Sequence, residues 1–220
     1  MKTRIAMLTL AISCAWAGNA LALTKDEYKT QKDKIEADYK AARDKCGAMT
    51  ANAKDICQAE AKGTEKVAKA ELEAQYKASP SNEKKVRDAK ADAAYDVAKE
   101  KCDDQKGNAK DVCMKEAKSA RTTAKADAKV NKASADAAQT RTTATTGTTT
   151  SPVTGAAVGT GAAAANANAN ANSTVAAAKK DAAEDKREAE YKVAKEKCDA
   201  LSGNAKDSCM SSAKTKYGMK

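Results

Sequence analysis

The 220-residue chain contains no histidine and no phenylalanine, and its only tryptophan, Trp16, lies near the N-terminus. The lack of histidine excludes sites that need an imidazole base or metal ligand. Large aliphatic residues are also scarce, since residues 23–220 hold three Leu, two Ile and nine Val. So few cannot offset backbone entropy of about 1–2 kcal/mol per residue in one large core. We therefore expect no compact enzyme and no cofactor.

The N-terminal segment 1–22 has the pattern of a cleaved bacterial export signal. Basic residues at its start precede an uncharged, mainly apolar run and a small-x-small motif that ends at Ala22. The apolar run is shorter than the ~20 residues that span a bilayer, so no transmembrane segment is expected after cleavage. Cys14 lacks the flanking pattern of a lipidation site, so we do not expect a lipoprotein. The sequence thus predicts a periplasmic or secreted protein that begins at Leu23.

The remaining chain is rich in Ala, Lys, Asp and Glu, a composition typical of helical proteins. The formal net charge is +10, but acidic and basic residues alternate along the chain without a dominant basic patch. We therefore expect no nucleic-acid binding. An envelope protein or an anionic envelope polymer is a more plausible partner, and self-association is left open.

One sequence frame occurs three times, in residues 39–62, 95–118 and 191–214. Each copy has a tyrosine seven residues before a cysteine, then five residues, then Asn-Ala-Lys-Asp-x-Cys. The repeated tyrosines are Tyr39, Tyr95 and Tyr191, and their rings are expected to cover the seam between two helices. A contact with a partner helix is the alternative role.

The repeat predicts an all-α fold of three antiparallel helical hairpins, each stapled by a Cys-x10-Cys disulfide. The expected pairs are Cys46 with Cys57, Cys102 with Cys113, and Cys198 with Cys209. Gly107 and Gly203 indicate a left-handed residue at the turn. One continuous helix is the rival geometry, which would leave the paired cysteines ~16 Å apart and unable to bond. The predicted helices are 25–50 and 53–78, 83–106 and 109–131, and 179–202 and 205–217.

An asparagine follows each predicted turn and is expected to cap the second helix of its hairpin, with an aspartate three residues later in the capping-box position. These cap residues are Asn52, Asn108 and Asn204, with Asp55, Asp111 and Asp207.

Residues 132–178 have a different composition, rich in Thr, Ala and Asn, with no charge between Thr142 and Ala178. This pattern predicts a long disordered linker before the third hairpin. The predicted organisation is therefore a signal peptide at 1–22, hairpin repeats at 23–78 and 79–131, the linker at 132–178, and a third repeat at 179–220.

The cysteines leave a second class of function open. Six cysteines without histidine could form a thiol-based metal or redox-responsive binding site. Zinc sites, however, usually place two to four residues between paired cysteines, and a Cys-x-x-Cys redox motif is absent. Ten intervening residues in an exported chain favour structural disulfides, and we expect no metal site.

Two family resemblances follow from composition. The stretches AEAKGTEKVAKAELEAQ and KKDAAEDKREAEYKVAKEK resemble the periplasmic helical segment of TolA cell-envelope proteins. That resemblance implies a helical spacer between envelope layers. The stretch AYDVAKEKCDDQKGNAKDVCMKEAK is similar to the repeats of LEA-like stress proteins, which would imply a stress-protective chain. The sequence predicts a non-enzymatic envelope structural or interaction protein, with the LEA-like and thiol-based functions as alternatives.

Overall fold

The computed structural model describes residues 23–146 and 160–219, and these residues are almost entirely α-helical. The predicted signal peptide and Cys14 lie outside the described residues. The helices are α1 (Lys25–Cys46), α2 (Ala51–Tyr76), α3 (Pro80–Cys102), α4 (Gly107–Thr146), α5 (Thr160–Cys198) and α6 (Gly203–Tyr217). The predicted all-α class is confirmed for this part of the chain.

Each helix packs against the next helix along the chain. The helix pairs α1–α2, α3–α4 and α5–α6 each contain one repeat of the sequence frame and one disulfide, and we call them units 1, 2 and 3. In unit 1, a disulfide joins the helices at one end, and the rings of Tyr28 and Tyr76 lie 4.7 Å apart at the other. The packing of α2 on α3 and of α4 on α5 joins neighbouring units.

The turn within each unit has the same geometry in all three. The first helix ends at the cysteine, whose carbonyl accepts the backbone N–H three residues later, at 3.0–3.1 Å. The second helix then begins with a residue of positive φ. That residue is Gly107 (56°) in unit 2, Gly203 (53°) in unit 3 and Ala51 (50°) in unit 1. The left-handed residue predicted at both glycines is present, and unit 1 forms the same turn with Ala51 at that position.

The predicted disorder of residues 132–178 is wrong for its described parts, 132–146 and 160–178, which extend α4 and α5 as helices. Alanine is the best helix former, and its small side chain allows two helix backbones to approach closely. The contacting faces carry buried alanines at seven- and four-residue spacing. These buried residues are Ala126, Ala133 and Ala137 on α4, and Ala171, Ala178, Ala182 and Ala189 on α5. The middle of the predicted linker, 147–159, lies outside the described residues.

Small residues dominate the core throughout. The largest fully buried side chains of the described residues are Cys46, Cys102 and Cys198, and most other buried residues are alanines. On α1, Ile35 and Tyr39 are half-buried and Cys46 is buried, while most of their neighbours are exposed. Because each contact buries little area, polar contacts between helices and the disulfides carry much of the specificity of packing.

Candidate interaction interface

The three predicted cysteine pairs are bonded. Cys46–Cys57, Cys102–Cys113 and Cys198–Cys209 each have Cα atoms 5.6 Å apart, within the range that a disulfide requires. The rival arrangement of one continuous helix through each cysteine pair is therefore wrong. Disulfides persist in oxidising compartments, so the three bonds indicate an oxidising, exported environment.

The predicted caps are wrong. Each second helix begins before its asparagine, so Asn52, Asn108 and Asn204 are second residues of α2, α4 and α6. The N-cap positions of α2 and α6 are Thr50 and Ser202, neither of which makes a side-chain cap hydrogen bond. Each second helix begins at the left-handed residue that precedes the asparagine, so the asparagine lies inside the helix and not at its cap. The predicted capping-box residues consequently lie in the second turn and are exposed; they are Asp55, Asp111 and Asp207.

Two of these asparagines instead connect neighbouring units. Asn52 in unit 1 donates from Nδ2 to the Glu100 carbonyl in unit 2, at 2.7 Å. Asn108 in unit 2 donates in the same way to the Glu196 carbonyl in unit 3, at 3.1 Å. Glu100 and Glu196 occupy the same repeat position, two residues before the first cysteine. The two interfaces between units therefore share one side-chain-to-backbone hydrogen bond.

Two ion pairs also recur at equivalent positions of the two interfaces. The first is Glu60–Lys101 (3.9 Å) between units 1 and 2, and Glu116–Lys197 (2.7 Å) between units 2 and 3. In both, the acid lies three residues after the second cysteine of its unit, and the lysine directly precedes the first cysteine of the next unit. Farther along the same helices, Glu71 pairs with Lys90 at 2.7 Å, and Asp127 pairs with Lys186. Exposed ion pairs contribute only about 0–1 kcal/mol each to stability. Their recurrence therefore indicates that neighbouring units pack in the same register at both interfaces.

Helices α2 and α3 lie close together at Gly63. A Cβ atom at this position would lie 2.8 Å from the Ala93 Cβ, so a side chain there would force the helices apart. The equivalent positions in the next interface are Ser119 and Ala189, both small, and Ala189 is buried. Both interfaces thus depend on small residues at the same position.

Asp92 on α3 forms ion pairs with both neighbouring helices, α2 and α4. Its carboxylate accepts Lys66 Nζ of α2 at 3.1 Å, and Arg121 Nε and Lys125 Nζ of α4 at 2.6 and 2.7 Å. Burial raises the pKa of this carboxyl, but hydrogen bonds from Lys125, Arg121 and Lys66 more than offset burial and hold its pKa well below the usual range. The carboxylate therefore stays charged at all ordinary pH values and links unit 1 to unit 2.

The repeat tyrosines face the second helix of their own unit. The Arg121 guanidinium lies 5.1 Å from the Tyr95 ring centre, and the Tyr191 and Tyr217 rings meet edge-on at 6.4 Å. Arg121 and Tyr217 occupy the same repeat position. This geometry favours the predicted seam-covering role over contact with a partner. In unit 1, Tyr39 lines an open groove of about 630 Å³ between α1 and α2.

The described residues contain no metal-ligand cluster and no membrane-spanning helix. No group of three Cys, Asp or Glu side chains among them is placed to hold a metal ion. None of their helices combines the length and apolar character needed to cross a bilayer. A second open groove, of about 500 Å³, lies where α6 ends beside α4 and α5.

The interface between units thus repeats the same contacts at both junctions. Sequence reasoning missed its residues because each contact joins positions 19 to 88 residues apart. The available signal was the recurrence of an asparagine, a lysine and acids at fixed repeat positions. Comparison with protein-family models, curated proteins and solved structures gives no match to this chain.

Proposed function

We propose that this protein is an exported, non-enzymatic structural or interaction protein of the bacterial cell envelope. In this proposal the three units are antiparallel, disulfide-stapled hairpins stacked in a row. The repeated interface carries the proposal, because Asn52 and Asn108 bind equivalent carbonyls in the next unit. Such nearest-neighbour stacking is typical of repeat proteins, which provide extended surfaces and spacers.

The predicted signal peptide and the three disulfides support export. The TolA-type resemblance supports a spacer role in the envelope, where a row of helices would set a distance between partners. Alternating acids and lysines on the helix surfaces support contact with an envelope protein or an anionic envelope polymer more than with nucleic acid.

Intact mass and disulfide mapping of the protein recovered from a fractionated bacterial host test the proposal. We expect a periplasmic or secreted chain that begins at Leu23 and holds three within-unit disulfides. High helicity in dilute buffer, measured by circular dichroism, should accompany them. An exported protein whose cysteines are reduced and that takes up zinc would favour the thiol-based alternative. Low helicity that rises on drying, with no effect of removing the cysteines, would favour the LEA-like alternative.

A further inference from the structure

The row of units has two ends that differ from each other. Each internal interface joins the second helix of one unit to the first helix of the next, as α2 to α3 and α4 to α5. Helix α1 packs only on α2, and α6 only on α5, among the described residues. The outward faces of α1 and α6 therefore occupy the positions that an additional unit would cover.

Helix α1 keeps the residues that receive a neighbouring unit. Lys34, Ala37 and Lys45 occupy the repeat positions of Lys90, Ala93 and Lys101, and all three are exposed. On α3, Lys90 pairs with Glu71 and Lys101 pairs with Glu60. Ala93 lies beside Gly63, so all three α3 residues contact unit 1.

The Asp44 carbonyl on α1 is equivalent to the carbonyls that accept the interface asparagines. It accepts the Gly47 backbone N–H at 3.0 Å, as the Glu100 carbonyl accepts that of Asp103 at 3.1 Å. A carbonyl oxygen can accept two hydrogen bonds, and Glu100 uses its second for Asn52. Asp44 is exposed and offers the same second position to an incoming asparagine.

Helix α6 keeps the asparagine but differs from α2 and α4 at neighbouring positions of the same face. Asn204 is exposed at the position of Asn52 and Asn108. One turn later, Ser208 stands where α2 has Ile56 and α4 has Val112. At the position of the paired acids Glu60 and Glu116, α6 has Ser212. Moreover, α6 has 15 residues, whereas α2 and α4 have 26 and 40, so its outward face is both more polar and shorter.

We propose that α1 is a docking edge for α6 of a second copy of this chain. In this head-to-tail contact Asn204 of one copy donates to the Asp44 carbonyl of the other, and Ser208 and Ser212 keep the association weak. The contact is heterologous, so repetition extends a filament, or closes a ring where the rotation between copies allows it, instead of forming a two-fold dimer. The inference rests on the proposed function, because it assumes that the units stack as a row.

Sedimentation velocity of the full mature chain over a concentration series tests the proposal. The variant carrying Ser208→Val and Ser212→Glu restores an apolar residue and the acid that would pair with Lys45. We expect it to associate at least tenfold more tightly than the wild type, with species larger than dimers. Adding Lys45→Glu should abolish the gain. The charge-exchanged variant Ser208→Val, Ser212→Lys, Lys45→Glu should recover it.

The proposal is overturned if the first variant associates no more tightly than the wild type, or if its association is indifferent to Lys45→Glu. Circular dichroism and disulfide mapping of every variant show whether each one is folded. Folded variants with three within-unit disulfides that remain monomeric would reject the docking edge alone. Loss of those disulfides in the wild type would reject the proposed function itself.

Discussion

At the residue scale, the turn of unit 1 places a residue with a side chain at the left-handed position that glycine occupies in its two counterparts. Ala51 has a φ of 50°, where units 2 and 3 have Gly107 and Gly203 at 56° and 53°. A left-handed conformation costs a residue with a Cβ about 1–2 kcal/mol, and glycine avoids most of that cost. Unit 1 therefore stores backbone strain that the other units lack.

This difference predicts that substitutions at the equivalent positions change the stability of the protein in opposite directions. We expect Ala51→Gly to stabilise the protein by about 0.5 kcal/mol, because the relief of strain exceeds the added entropy of the unfolded chain. Gly107→Ala and Gly203→Ala should each destabilise it by about 1 kcal/mol. No atom outside the local chain lies within 4 Å of a Cβ built at either glycine, so the effect is purely conformational. Urea unfolding of the oxidised protein measures all three, and a destabilising Ala51→Gly would contradict the prediction.

Asp92 predicts a pH dependence. Its folded-state pKa is lowered, so its stabilising contribution is fully present above the unfolded pKa of about 3.9 and is lost as pH falls below that value. Asp92→Asn should therefore cost about 2 kcal/mol at pH 7, and the difference from wild type should shrink steadily below pH 4. Unfolding midpoints between pH 2 and 7 measure this change. Asp96→Asn, at an exposed position one turn away, is the matched control and should have little effect at any pH.

The asparagines show where prediction from single residues fails. The pattern around Asn52 and Asn108 is typical of a helix cap, because a cap depends on residues three positions apart. Their actual acceptors lie 48 and 88 residues away in the next unit. No local pattern encodes such a partner. The cysteine pairs, in contrast, could be predicted, because both members lie within one repeat and bond to each other.

At the scale of helices, the extensions of α4 and α5 show how alanine can replace larger apolar residues. The predicted disorder followed from the Thr-, Ala- and Asn-rich composition of 132–178 and from the lack of charge between Thr142 and Ala178. The buried alanines Ala171, Ala178 and Ala182, spaced seven and four residues apart, were the missed signal. At the same extensions, Arg141 of α4 hydrogen bonds to Asn172 of α5, so polar residues also bridge the two helices.

A matched pair of substitutions tests this helix contact. Ala137 is 4% exposed on the face of α4 that packs against α5, whereas Ala138 is exposed. We expect Ala137→Glu to separate the extensions, because it buries a charge without a partner. Hydrogen exchange of residues 164–178 should then accelerate at least tenfold. Ala138→Glu should leave exchange in that segment unchanged. Fast exchange there in the wild type would contradict the helical extension.

The disulfides should differ in importance between units. Helix α4 packs on both α3 and α5, whereas α6 is short and packs on α5 alone among the described residues. Replacing both Cys198 and Cys209 with Ser should therefore release α6 and remove hydrogen-exchange protection from 203–217. Replacing both Cys102 and Cys113 should leave α4 protected, at a cost of about 3 kcal/mol in overall stability. Equal loss of protection in both variants would contradict this asymmetry.

At the scale of the whole molecule, the interface hydrogen bonds predict coupling between units. Asn52→Ala and Asn108→Ala should each cost about 1–2 kcal/mol, because each leaves a partly buried carbonyl without its second partner. Asn204→Ala should cost less than 0.5 kcal/mol, since Asn204 is exposed at the end of the row. Denaturant unfolding measures the three variants. Equal costs would instead support the helix-cap role that the sequence predicted.

The sequence was sufficient to predict the helical class, the cysteine pairs and the positive φ at two turns, because each depends on residues within one repeat. The packing between units could not be predicted, since it depends on a register that appears only when units are placed side by side. Contacts such as Glu60–Lys101 join residues that look like ordinary solvated charges along the chain. Only the three-dimensional structure shows which of these charges are paired.

The recurrence of interface positions has a consequence for the length of the molecule. Unit 1 presents Asn52, Glu60 and Glu71, and unit 3 receives such groups at Glu196, Lys197 and Lys186. The two surfaces are complementary although they do not meet in this chain. A gene that lost its middle unit, or duplicated it, would still encode the same asparagine–carbonyl and acid–lysine pairs at every junction. The reach of the protein can thus change in whole steps, by recombination of units.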